Sequence, residues 1–343
     1  MPDNLSEGIN QILHSGNLTY GQYAKQFEEK LQTYIGNPNL FTTSNNNYAL
    51  LIALNVIDLK ENEEVIASPM SCLASNQPVI SLGGKMVWAD IDPTNCALDP
   101  EDVKRKITSK TKAILHYHWC GYPGYIDEIN AIGKQHGIPV IDDAIESFGS
   151  EYKGKKMGNT ESDITCFSFQ AVRLPTTIDG GAISFKDPAL YEKAILMRDY
   201  GIDRKKFRDA LGEISPEGDI KLKGYNALMN EISGYVGCQQ MNSIEELIAK
   251  QQKNGATYNA QFEASGNKYL KPQVFSLPNY WVYTLFDQNP LEKIKEYRAK
   301  GFYASKVHLR NDEYSCFGSK NNTLKGVNEF EKTAFSIPSG WWI

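Results

Sequence analysis

Ser168-Phe169-Gln170-Ala171-Val172-Arg173-Leu174-Pro175-Thr176-Thr177-Ile178-Asp179-Gly180-Gly181 reads as the end of a buried strand, a polar turn with one basic residue, and a Gly-Gly exit. Upstream lies a second strand end, Val140-Ile141-Asp142-Asp143-Ala144-Ile145-Glu146-Ser147. Acidic residues at the carboxyl end of a covered strand sit where open α/β sheets bind ligands. Taken alone, such an acid is equally well a helix cap. Taken together, an acidic strand end followed by a basic turn on the next strand can converge on one ligand, which makes the pair more specific than either piece.

Working outward, residues 49–184 alternate between helical and strand-like segments, the signature of a layered α/β domain. Segments 64–68, 86–90, 113–117, 139–143 and 164–169 are brief, apolar and bounded by turn residues, as strands covered on both faces should be. A helix is expected over 127–136, ended by Gly137 with Pro139 beyond it. Residues 202–223 are charged and turn-rich. One long amphipathic helix is expected over 230–253 and a strand over 280–284, with a domain boundary near residue 240.

The chain has 343 residues, of which 41% are hydrophobic and 22% charged, so it can build a full globular core. A net charge of -5 without a dense Lys/Arg run argues against nucleic acid as a partner. Cys72, Cys96, Cys120, Cys166, Cys238 and Cys316 are scattered without C-x-x-C spacing, so neither a metal site nor a disulfide framework is expected. The opening Met1-Pro2-Asp3-Asn4-Leu5 lacks the basic and apolar regions of a signal peptide, and no apolar stretch suits a membrane span. These features point to a cytoplasmic protein.

The two strand-end segments resemble the cofactor segments of the DegT/StrS-type sugar aminotransferases, pyridoxal-phosphate (PLP) enzymes of fold type I. The resemblance implies a large domain, residues 1–240, built on a seven-stranded, mostly parallel sheet, and a small C-terminal α/β domain, residues 241–343. In it, Asp143 pairs with the protonated pyridine nitrogen and Glu146 approaches the ring hydroxyl or the substrate. Ser168 and the helix N-terminus at Asn45-Asn46-Asn47 hold the phosphate. Cys72, in Pro69-Met70-Ser71-Cys72-Leu73-Ala74-Ser75-Asn76, lies in the ring-covering loop of the branch that makes 4-amino sugars of the perosamine and viosamine type. Gly224-Tyr225-Asn226 offers Asn226 to the phosphate of a partner subunit, which implies a homodimer. Tyr20 in Ser15-Gly16-Asn17-Leu18-Thr19-Tyr20-Gly21, and His308, Arg310 and Asn311 in Val307-His308-Leu309-Arg310-Asn311-Asp312, line the site of a nucleotide sugar.

In that family the position of Arg173 is the lysine that links covalently to PLP. A lysine can lose its proton and attack an aldehyde, whereas guanidinium stays protonated. PLP or its amine form (PMP) is therefore expected to bind without a covalent link, and transamination with glutamate as amino donor is expected to be impaired. An engineered Lys-to-Arg change, a natural lysine-free enzyme and a non-catalytic sugar-nucleotide-binding homologue all fit this residue. One lysine-free branch of the family, with histidine at this position, carries out PMP-dependent deoxygenation. Further departures at Asn45-Asn46-Asn47, Leu174, Ile178 and Leu228 cluster around the same site and favour natural divergence.

Overall fold

The structure is a computed structural model that describes residues 5–343; the reading of residues 1–4 as free of a signal lies outside the described residues. Its central sheet is assembled from β1 (Leu40–Thr43), β2 (Glu64–Ala67), β3 (Lys85–Trp88), β4 (Thr111–Tyr117) and β5 (Val140–Asp143). A small hairpin, β6 (Glu151–Tyr152) and β7 (Lys155–Lys156), precedes the last two members, β8 (Ile164–Ser168) and β9 (Gly181–Phe185). The seven strands run in the order β1-β9-β8-β5-β4-β2-β3. Only β9 opposes the rest, pairing antiparallel with both β8 and β1. This is the mostly parallel seven-stranded sheet that the resemblance implies.

Strand periodicity explains the layering. Side chains alternate between the two faces of a strand. Val65, Ala67, Ala113, Leu115 and Ile141 pack in one cluster, whereas Ile66, Ile114 and Val140 pack in another. The first cluster is covered by α3 (Asn46–Val56), through Ala49, Leu50 and Ala53. The second is covered by Ile129 and Ile132 of the helix Ile126–His136, which ends at Gly137 in the left-handed region (φ 66). A third cluster joins Phe27 and Leu31 of the helix Gln22–Ile35 to Phe167, Phe169 and Ala182 beside the turn that carries Arg173.

The single helix expected over 230–253 is instead two, Glu231–Met241 and Ile244–Ala264. Ser243, at φ -119 and ψ 8, leaves helical geometry between them, so apolar periodicity continued across a bend that periodicity alone does not register. Beyond lie a second sheet, Lys268–Tyr269, Val282–Phe286 and Ala334–Pro338, and the strand Ser276–Leu277, which pairs with β6. Residues 202–223 carry no helix or strand. Among the described residues, no helix is long and apolar enough to cross a membrane.

Candidate active site

β4, β5 and β8 end side by side. Tyr117 is in register with Asp143, and Asp143 with Cys166. Asp143 is fully buried; its Oδ1 accepts from the Ile145 amide at 3.3 Å, and its Oδ2 has no partner. Burial, with the charge of Glu146 adding, outweighs the Ser75 hydroxyl and the Ile145 amide and pushes its carboxyl up to about 6.

Glu146, in the turn after β5, is the opposite case. Its carboxylate is completely covered, yet it accepts from the Tyr117 hydroxyl, from the Cys120 amide at 2.9 Å and from His308 Nε2 at 3.0 Å. Arg173 Nη1 lies 3.2 Å from the same Oε1 that His308 touches. Burial works to raise this carboxyl, but Arg173 and then His308 outweigh it and hold it at about 2.

The turn carrying Arg173 is closed by the Phe169 amide on Gly180 O and the Thr177 amide on Phe169 O, both at 2.8 Å. The guanidinium is buried against the face of Trp281, 4.1 Å from the ring centroid, and Trp281 Nε1 donates to Val172 O at 2.9 Å. Its Nη1 is close to Glu146 without the alignment of a hydrogen bond, and its Nε has no partner. The contact is therefore one of charge and stacking rather than a forked pair.

Across the sheet end, Asn45 caps α3 by accepting from the Tyr48 amide at 3.0 Å. Gly181 permits the close approach of β9: a Cβ there would stand 2.8 Å from Thr43 Oγ1 and 2.9 Å from the Asn46 nitrogen. Ser168, paired with Gly181, is thereby brought to the first turn of α3, where backbone amides lack intrahelical acceptors. Asn46 is buried with Oδ1 unpartnered, and Asn47 is exposed. Cys72 stands at the start of the helix Leu73–Ser81; burial, then the charge of Glu146, raises its thiol to about 11.

The sequence profile of the DegT/DnrJ/EryC1/StrS aminotransferase family matches residues 2–297. The chain belongs to this family. It is similar to the sugar aminotransferase CalS13 from Micromonospora echinospora, at 27% identity and a TM-score of 0.93 over 100% of this chain and 94% of that one. AtS13 from Actinomadura melliaura is 28% identical, with a TM-score of 0.92 over 99% and 92% of the two chains. Uncharacterized protein MJ1066 of Methanocaldococcus jannaschii is 32% identical over 75% of this chain and 67% of its own.

In this DegT/DnrJ/EryC1/StrS member, Asp143, Glu146, Arg173 and His308 come together, with Cys72 nearby, and Ser168 meets the α3 N-terminus. Tyr20 and Asn226 lie apart from them, lining a separate cleft of about 1370 Å³ with Leu228. There the Tyr20 hydroxyl donates to Glu28 at 2.7 Å and its ring faces Arg198 at 4.6 Å. Arg310 does not face a ligand site: it is fully buried, with Nε and Nη2 on Asp312 at 2.6 and 2.7 Å. Asn311 is equally buried; its side chain donates to Ser71 O at 3.0 Å and accepts from Asn76 at 2.9 Å.

Tyr117 and Trp281 went unread as site residues. Tyr117 could have been found from its place at the end of a strand adjoining the acidic one; Trp281 had no local signal, since only the fold brings it to Arg173. A further buried cluster, His116, His118 and Asp142, has the residue types of a metal site. However, His118 Nδ1 accepts from the Gly124 amide at 3.1 Å, so its Nε2 carries the proton; it lies 3.2 Å from Asp142 Oδ1 without hydrogen-bond alignment and has no lone pair for a metal.

A PLP-class cofactor fits these residues. The unpartnered Oδ2 of Asp143 matches a ring-nitrogen cation, the α3 N-terminus with Ser168 matches a phosphate, and Cys72 lies in electrostatic reach of both Glu146 and Asp143.

Proposed function

We propose that this chain is a lysine-free sugar aminotransferase homologue that binds PLP or PMP without a covalent link and acts on a nucleotide-linked 4-keto-6-deoxy sugar. The observation that carries the reading is Asp143 Oδ2, one oxygen of a buried carboxyl at a strand end, which finds no aligned hydrogen-bond donor among the described residues. When bound, the cofactor supplies a pyridinium that withdraws electrons. Asp143, ionised, holds the proton on the ring nitrogen. Ser168 and the amides of Asn46 and Asn47 take the phosphate, and Asn226 reaches the phosphate of the partner in a homodimer. Glu146 stays anionic under Arg173 and orients His308 toward the reacting end of the site. Arg173 forms no imine and gives up no proton at neutral pH, so it fills neither role of the lysine and transamination from glutamate is slow.

Purified protein should take up PLP reversibly, and borohydride should fix no pyridoxyl group at Arg173. Arg173→Lys should turn yellow with PLP, become fixable by borohydride at residue 173, and gain glutamate-dependent transamination of a 4-keto sugar nucleotide. A parent that binds no PLP or PMP by absorbance or fluorescence overturns the reading. Tight binding of a sugar nucleotide with no cofactor uptake, by parent and Arg173→Lys alike, replaces it with a non-catalytic binding role.

A further inference from the structure

We infer that His308 is the proton-accepting base of this site, the group that moves a carbon-bound proton where a lysine is lacking; the inference rests on the cofactor reading above. Glu146 Oε1 is touched both by Arg173 Nη1, at 3.2 Å, and by His308 Nε2, at 3.0 Å, so the imidazole ring stands beside the guanidinium at the lysine position. The ion pairs of Glu146 are with these two residues and not with a lysine.

The tautomer follows from the charges. Glu146 is held ionised and can only accept, so His308 Nε2 must donate to it. When the ring is neutral, donation from Nε2 leaves the lone pair on Nδ1. A carboxylate orienting one ring nitrogen and leaving the other as a base is the arrangement of acid–base dyads. The side chain of His308 is 15% exposed, whereas that of Glu146 is 0% exposed, so the base has access and its orienting acid does not.

The loop is built to hold this ring. Val307, β-branched, stands at φ 65, a strained conformation for such a residue. Arg310 and Asn311, buried in their clamps on Asp312 and Ser71, anchor the segment just beyond. Tyr117 and Trp119 bracket the imidazole edge-on, with centroids at 6.3 and 5.7 Å. In the role assigned to it, Nδ1 would take the proton released from a carbon of the bound substrate, and the cofactor, when bound, would supply the electron sink. The imidazolium so formed faces the Glu146 anion.

The test uses the full chain with PLP and L-glutamate in D2O, following loss of the Cα proton by NMR. His308→Gln retains an amide donor for Glu146 but no base; it should slow exchange about a hundredfold or more while PLP affinity holds. Exogenous imidazole should restore exchange to His308→Gly, which a merely structural residue would not allow. Independently of any cofactor, 15N NMR of the parent should show His308 protonated on Nε2 with a bare Nδ1. Failure of the parent to bind PLP removes the cofactor reading and this role with it. PLP binding with undiminished exchange in His308→Gln, or a His308 protonated on Nδ1 alone, overturns this role and leaves the cofactor reading standing.

Discussion

Asp143→Asn should make the cofactor-free protein less sensitive to rising pH. Burial, with the charge of Glu146 adding, lifts the folded Asp143 from its usual 3.8 to about 6. Its folded value lies above its unfolded one, so the folded state binds more protons between them, and stability falls as pH rises through that window. The penalty is absent below the unfolded value and complete above the folded one, where a shift of this size amounts to ~3 kcal/mol; ~1.4 kcal/mol of that develops between pH 5 and 8. His116 runs the other way. Burial and then His118 depress it, so its contribution grows as pH rises, but it is common to both proteins and cancels in the difference. Urea unfolding of parent and variant without cofactor, at pH 5 and pH 8, gives the comparison. The stability of Asp143→Asn relative to the parent should increase by ~1.4 kcal/mol between the two pH values. Parallel pH dependences would refute the idea that burial outweighs the bonds to the Asp143 carboxylate.

Three further outcomes are expected. Arg173→Met strands the Glu146 charge in the interior and should destabilise the fold by ~3–5 kcal/mol by urea unfolding, with much of the loss recovered in Arg173→Met/Glu146→Gln. Gly181→Ala drives a methyl into Thr43 Oγ1 and the Asn46 backbone; it should cost about 1–3 kcal/mol and weaken PLP uptake measured by fluorescence titration. Light scattering should show a dimer at micromolar concentration, and a monomer would remove the role given to Asn226.

The sheet was legible where strands are short, apolar and closed by turns. Segments 113–117, 139–143 and 164–169 correspond to β4, β5 and β8, within two residues at each end. β1 and β9, the antiparallel pair at one edge, were not read from the local pattern, since Leu40–Thr43 is a four-residue strand that only its β9 partner makes recognisable. In the site, Asp143, Glu146 and Arg173 were legible because chemistry and order are local there. Arg310 and Asn311 share a segment with His308 and have the composition of a polar binding loop. Only the fold reveals that Asp312 and Ser71 lie close enough to absorb them. Trp281 and Arg173 meet across more than a hundred residues of chain, and no local pattern encodes that contact.

An arginine at residue 173 has a consequence for Glu146 that a lysine could not reproduce. Asp143 ends β5 and Glu146 lies in the turn that follows, both buried, yet one carboxyl is pushed up to about 6 and the other held at about 2. The difference lies in their neighbours: Glu146 has a guanidinium and an imidazole on one oxygen, and Asp143 has only the Ser75 hydroxyl and the Ile145 amide. A lysine engaged in covalent chemistry gains and loses its charge during turnover, and a neighbouring carboxylate would feel that change. Arginine keeps its charge at every stage, so Glu146 stays ionised and the donor nitrogen of His308 stays fixed. On this reading, the residue that removes the covalent link also holds the tautomer that an imidazole base requires. Arg173→Gln, which is uncharged and lacks the planar fork, should therefore loosen the Nε2–H preference of His308 in 15N spectra even without cofactor. An unchanged tautomer in that variant would show that Tyr117 and the Cys120 amide suffice to keep Glu146 ionised, and would reduce Arg173 to the loss of a lysine.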